Sequence, residues 1–125
     1  NRTLDAIHRL GKRAGLCINP GTPFAAIEES LPDADQVMVM TINPGWGGQQ
    51  MIPRQLEKVA RIRAALDAGG YAAEIMIDGG VKTSNAAGCA RAGADVLVCG
   101  SSVFNPEKSV AESVAALRAA LREPS

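Results

Sequence analysis

Ile75-Met76-Ile77-Asp78-Gly79-Gly80-Val81 joins an apolar run to an acid and two glycines. The apolar run reads as a buried strand. The acid and glycines then fall at its carboxyl end, where parallel α/β enzymes carry their chemistry. Two similar junctions flank it. Val37-Met38-Val39-Met40 leads to Asn43-Pro44-Gly45-Trp46-Gly47-Gly48, and Val96-Leu97-Val98-Cys99 leads to Gly100-Ser101-Ser102. A single glycine pair is an ordinary turn signal. Three successive strand ends of this kind predict a phosphate site, because glycine permits positive φ and lets several N–H groups approach one anion.

Working outward, the periodicity predicts a helix over 3–10, a strand over 14–18 ended by Asn19-Pro20-Gly21, and a short helix over 24–30. A strand over 37–41 follows, then a helix opened by Pro53 with an apolar stripe at Leu56, Val59, Ile62 and Leu66. Beyond Gly69-Gly70 come a strand over 74–77, a helix over 84–92, a strand over 96–99, and a last helix striped by Val110, Val114, Leu117 and Leu121. Strands apolar on both faces that alternate with helices imply a parallel sheet covered by helices. No linker divides the chain, so residues 1–125 read as one domain. A closed (β/α)8 TIM barrel takes about 250 residues. The chain thus supplies about the last four strand-helix units of such a barrel, its C-terminal half.

A hydrophobic share of 46% in 125 residues is enough for one core, and 13 basic residues balance 13 acidic ones. That balance argues against an electrostatic grip on nucleic acid or an anionic membrane. Cys17, Cys89 and Cys99 lack a Cys-x-x-Cys spacing, which disfavours a disulfide framework or zinc knuckle and fits a reducing cytoplasm. No apolar run approaches the roughly 18 residues of a membrane span, and no leader-like segment opens the chain. The expected partner is a small molecule or another protein.

Among the acids, Asp33, Asp35, Glu74 and Asp95 precede or open their strands and read as turn or stability residues. Asp78 alone ends a strand. It is the candidate catalytic residue, the alternative being an Asx-type cap on the glycine turn. The loops with Gly79-Gly80 and Gly100-Ser101 follow the last two strands, where barrels commonly hold a phosphate, and the helices after them offer further N–H groups. His8, the only histidine, has no second histidine to help build a metal triad and reads as structural. Met38, Met40 and Met76 read as core, with Met40 nearest a ligand. Trp46 either walls the pocket or pins its loop.

Met40-Thr41-Ile42-Asn43-Pro44-Gly45-Trp46-Gly47-Gly48-Gln49 resembles the signature of the ribulose-phosphate 3-epimerases. Asp78-Gly79-Gly80-Val81 and Gly100-Ser101-Ser102-Val103-Phe104 resemble the family's two later signatures, in order. Arg2-Thr3-Leu4 and Ala14-Gly15-Leu16-Cys17-Ile18-Asn19-Pro20 resemble its middle section. Trp46 stands where the family usually has Phe, and Gly21 where it usually has Ala.

The resemblance implies a (β/α)8 isomerase of the pentose phosphate pathway that interconverts D-ribulose 5-phosphate and D-xylulose 5-phosphate by inverting C3. It implies a divalent metal, zinc or iron ahead of manganese or cobalt. Asp78 matches the aspartate that is both metal ligand and one of two acid/base groups. Gly45, Trp46, Gly47, Gly48, Gly79, Gly80, Gly100 and Ser101 match substrate contacts. The remaining ligands, two histidines and a second aspartate, belong to an N-terminal half. This polypeptide alone is therefore expected to be inactive, and to pair with that half or with a copy of itself. An allulose-6-phosphate 3-epimerase, a hexulose-phosphate synthase and a non-catalytic phosphate-binding half-barrel are the alternatives.

Overall fold

Valine or isoleucine at every second position of the two central strands decides the architecture. In β2 (Gln36–Met40) and β3 (Glu74–Asp78), Val37, Val39, Ile75 and Ile77 are fully buried while the residues between them keep partial exposure. The computed structural model describes residues 2–43 and 50–122. In them β1 (Gly15–Ile18), β2, β3 and β4 (Val96–Val98) pair in parallel, in the order β1-β2-β3-β4. A doubly wound sheet reverses its order and is covered on both faces. A sequential order with one buried face is the arc of a barrel.

The helices are α1 (Arg2–Arg9), α2 (Arg54–Gly69), α3 (Ala86–Ala92) and α4 (Val110–Arg122). α2 presents Gln55, Val59, Ile62 and Leu66 inward at intervals of four, three and four, with Leu56 half-buried beside them. The core continues through Phe24, Ile27, Leu31, Cys89, Val103 and Leu117. Truncating one such buried Leu or Ile to Ala typically costs about 2–5 kcal/mol.

Three expectations are corrected. The short helix after β1 is a pair of 3₁₀ turns, Phe24–Ala26 and Glu28–Asp33, the second containing Pro32, which has no N–H for an α-helical ladder. The strands are not buried on both faces: Gln36, Met38, Met40, Glu74, Met76 and Asp78 share a half-exposed face, because four strands do not close on themselves. α4 turns Ser113, Leu117 and Ala120 inward with Val114 half-buried, while Val110 and Leu121 stay exposed. Leu121 instead borders an open groove with Leu97, Cys99 and Val103.

The amino ends of the strands are tied by a repeated device. Ala34-Asp35 and Ala94-Asp95 each place a carboxylate on the main-chain N–H of the preceding strand, Ala14 N at 2.7 Å and Ile75 N at 2.9 Å. The same aspartates return their own N–H to Ala14 O and Ile75 O. His8 Nε2 lies 2.9 Å from Asp35, and the Arg63 guanidinium joins Asp95 to Gly93 O. His8 and these two acids are thus structural, as their place in the sequence suggests.

The Ala14 N–H first, then the His8 ring, holds the Asp35 carboxyl below its ordinary value. A depressed folded pKa stabilises above the ordinary aspartate value of about 3.9 and is lost as pH falls through the lower folded value. The expected result is that urea midpoints of the wild-type chain and Asp35→Asn differ at pH 6 and converge below pH ~3.9. A gap unchanged down the acid range would show that the carboxylate charge is immaterial.

No described helix is long and apolar enough to cross a membrane. Cys17, Cys89 and Cys99 are all free. Burial pushes the Cys89 thiol up to about 11, which makes it a packing residue and not a nucleophile.

Candidate functional site

The alternation that buries Ile75 and Ile77 turns Asp78 to the opposite face of the sheet, at the carboxyl end of β3. There it is the register partner of Met40 on β2 and of Val98 on β4. Its carboxylate is half-buried between two apolar neighbours, and among the described residues it has no hydrogen-bond or ion-pair partner. The Asx-type cap considered for Asp78 is therefore not formed. An acid held by its strand but uncommitted by its side chain is suited to exchanging a proton with a ligand.

Gly79 and Gly80 follow at φ +131° and +72°, conformations that side chains resist. A Cβ on Gly79 would lie 2.7 Å from Ile42 Cγ1 and 2.9 Å from Ile42 N, so the close approach of the β2 and β3 ends depends on that glycine. Thr41 occupies the gap. It is fully buried, its N–H donates to Asp78 O at 2.9 Å, and its hydroxyl donates to Gly79 O. Asn85 braces the same loop, donating from Nδ2 to Gly80 O at 2.9 Å and accepting from Lys82 N at 2.8 Å.

The loop after β4 is built alike. The N–H groups of Val103 and Phe104 donate to Gly100 O, and Asn105 Nδ2 donates to Ser101 O at 3.1 Å. Among the described residues the loop N–H groups of Gly80, Ser101 and Ser102 find no acceptor, so two adjacent loops offer main-chain donors at the sheet's carboxyl end. At the helix N-termini part of the donor set is already used. Ser109 and Glu112 close a capping box on the first turn of α4, Ser109 Oγ accepting from Glu112 N and Glu112 Oε1 from Ser109 N, each at 3.1 Å. α3 begins only at Ala86, beyond the Asn85 brace.

Met40, Asp78, Gly79, Gly80, Gly100 and Ser101 thus come together at the carboxyl ends of three adjacent strands. Gly45, Trp46, Gly47 and Gly48 lie outside the described residues. Thr41, Asn85 and Asn105 were missed by sequence reasoning. The available signals were a hydroxyl inside an apolar strand end for Thr41 and an Asn shortly after each glycine loop for the other two.

For a divalent metal, Asp78 fits as one oxygen ligand. Its neighbours Met40 and Val98 are not hard ligands, and no group of three or more His, Cys, Asp or Glu side chains converges among the described residues. A complete coordination shell needs donors from elsewhere.

The model of the ribulose-phosphate 3 epimerase family matches residues 1–104. Ribulose-phosphate 3-epimerase 1 of Cupriavidus necator is 48% identical over 108 residues, which are 83% of this chain and 45% of that protein. Ribulose-phosphate 3-epimerase of Aquifex aeolicus is 43% identical over 113 residues, 90% of this chain and 51% of that protein. The chain spans about half the length of the curated relatives it matches. A crystal structure of 3-hexulose-6-phosphate synthase superposes with a TM-score of 0.66 at 20% identity over 95% of this chain and 54% of its own, a likeness of fold.

Proposed function

The chain belongs to the ribulose-phosphate 3-epimerase family, and from that premise we propose that it forms the C-terminal half of a barrel that interconverts D-ribulose 5-phosphate and D-xylulose 5-phosphate. The observation that carries this reading is the half-buried Asp78 carboxylate at the end of β3, which has no partner among the described residues, beside two loops whose N–H groups likewise find no acceptor among them. Those loops are where the phosphate would sit, Gly79 and Gly80 on one side and Gly100 and Ser101 on the other. Gly45, Trp46, Gly47 and Gly48 are proposed to complete the substrate contacts, and Met40 to lie against the sugar.

The C3 proton is acidified by the neighbouring C2 ketone, and Asp78 takes or returns that proton on one face of the sugar. Inversion requires a second acid/base group on the opposite face, contributed by the other half of the barrel. A divalent cation, zinc or iron ahead of manganese or cobalt, would be held by Asp78 with ligands from that half. When bound it offsets the negative charge that develops on the substrate oxygens. The apolar flanks, Met40 and Val98, lower the local polarity around the carboxylate, and closure of the complementary half would exclude water there and strengthen its interaction with the substrate.

The free edges β1 and β4, and the half-exposed face between them, are where the complementary strands would pair. The test is D-ribulose 5-phosphate epimerisation with divalent metal supplied, by this chain alone and mixed with the N-terminal half of a related epimerase. Turnover is expected only in the mixture. D-Allulose 6-phosphate as a second substrate settles the sugar's length. Retained phosphate binding with no turnover of either sugar in the mixture would sink the catalytic reading in favour of a binding module.

A further inference from the structure

Lys58 lies near the start of α2, the end of that helix closest to the strands' carboxyl ends. Its Nζ donates to three main-chain carbonyls, Asn19 O at 3.2 Å, Pro20 O at 3.2 Å and Thr22 O at 2.5 Å. An ammonium has three donors and no acceptor, so these contacts match its whole capacity. All three carbonyls belong to the loop that follows β1. The loop is folded on itself for this purpose, with Thr22 N donating to Asn19 O at 2.9 Å and Asn19 N to Thr22 Oγ1 at 3.4 Å. One turn earlier on α2, buried Gln55 points Nε2 at the same Pro20 O, 3.5 Å away.

Among the described residues no carboxylate shares Lys58, so the pairing there is of a cation with carbonyl dipoles. Burial lowers the Lys58 pKa from its ordinary value. A charge set into such surroundings has to be compensated locally, and the three carbonyls are what compensate it.

We propose that Lys58 is a positioning residue, the resident cation of a three-carbonyl nest that fixes the loop after β1 against α2 at the rim of the candidate site. The loop's share in sugar-phosphate turnover rests on the reading of function given above; the clamp itself does not. Loss of the cation leaves Thr22 O without a donor and leaves Asn19 O and Pro20 O with only the Thr22 N–H and the Gln55 amide at 3.5 Å, so the loop loses its main tie to α2 and opens toward water.

The test is amide hydrogen exchange across the full chain in Lys58→Met and Lys58→Ala, neither measurement depending on turnover. Lys58→Met keeps most of the apolar stem and removes the charge. Exchange at Thr22 and its neighbours is expected to rise about tenfold or more, with β2, β3 and the later turns of α2 unchanged. In Lys58→Ala, ethylammonium chloride is expected to restore that protection where sodium chloride of equal ionic strength does not. Wild-type protection of the loop in Lys58→Met, a loss spread through the whole sheet, or a failure of ethylammonium to restore protection would each overturn the assignment. In the complemented barrel, Lys58→Met is expected to raise KM more than it lowers kcat. An inactive wild-type barrel would refute the function and leave the clamp standing.

Discussion

Asp78→Asn in the complemented barrel lowers epimerisation by about 10²–10⁴-fold, the share that a positioned acid/base group commonly supplies. The substitution is isosteric and removes only the charge and the proton-accepting oxygen. Because the carboxylate has no hydrogen-bond or ion-pair partner among the described residues, nothing structural is broken. The urea midpoint should therefore correspond to a change within about 0.5 kcal/mol, the usual range for substitutions away from structural features. The two acids at the strands' amino ends behave otherwise: Asp35 holds the Ala14 N–H and Asp95 the Ile75 N–H. The pairing of lost turnover with retained stability is thus the signature of a functional acid. A strongly destabilised Asp78→Asn would identify a structural cap, and near-normal turnover would remove Asp78 from the chemistry.

Gly79→Ala has the second large effect, and it acts first on the fold. At φ +131° an L side chain is strained, which costs about 1–3 kcal/mol. Its Cβ would also meet Ile42 Cγ1 at 2.7 Å, Ile42 N at 2.9 Å and Thr41 Oγ1 at 3.0 Å, and forced overpacking adds about another 1–3 kcal/mol. The backbone neighbour cannot turn away as a flexible side chain would, so the end of β2 must retreat and the Thr41 hydroxyl loses Gly79 O. Together these are a large part of the roughly 5–15 kcal/mol that stabilises a typical domain. The expected result is a clear fall in thermal midpoint and loss of turnover in the complemented barrel. Gly100→Ala is the internal control, since a Cβ there meets nothing within 4 Å and the residue is not among the positive-φ glycines. It should leave the thermal midpoint in place while weakening phosphate binding. Equal destabilisation by both substitutions would contradict the role given to the Thr41–Gly79 contact.

Much of this was legible along the chain. The strands of Val37, Ile75 and Leu97 and the helix of Val59, Ile62 and Leu66 stand within a residue or two of their expected places. So do the carboxyl-end positions of Met40, Asp78, Gly79 and Gly100. Runs and intervals of this kind are local: a side chain's face follows from the period of its own element. The family signatures were legible for a similar reason, being contiguous.

What the sequence determined by itself was therefore a parallel α/β arc with an acid and glycine loops at one end, because those properties depend on neighbours a few residues apart. Only the tertiary structure decided that Thr41 reaches Gly79 across 38 positions, that Lys58 reaches Pro20 across 38 and that Asp35 reaches Ala14 across 21. It also decided which of Val110, Ser113 and Leu117 faces inward, and that Glu112 occupies the N-terminus expected to help hold an anion. The register of one strand on the next, and the seat of each helix against the sheet, set those contacts. Both arise from packing the whole layer at once, which no local period encodes.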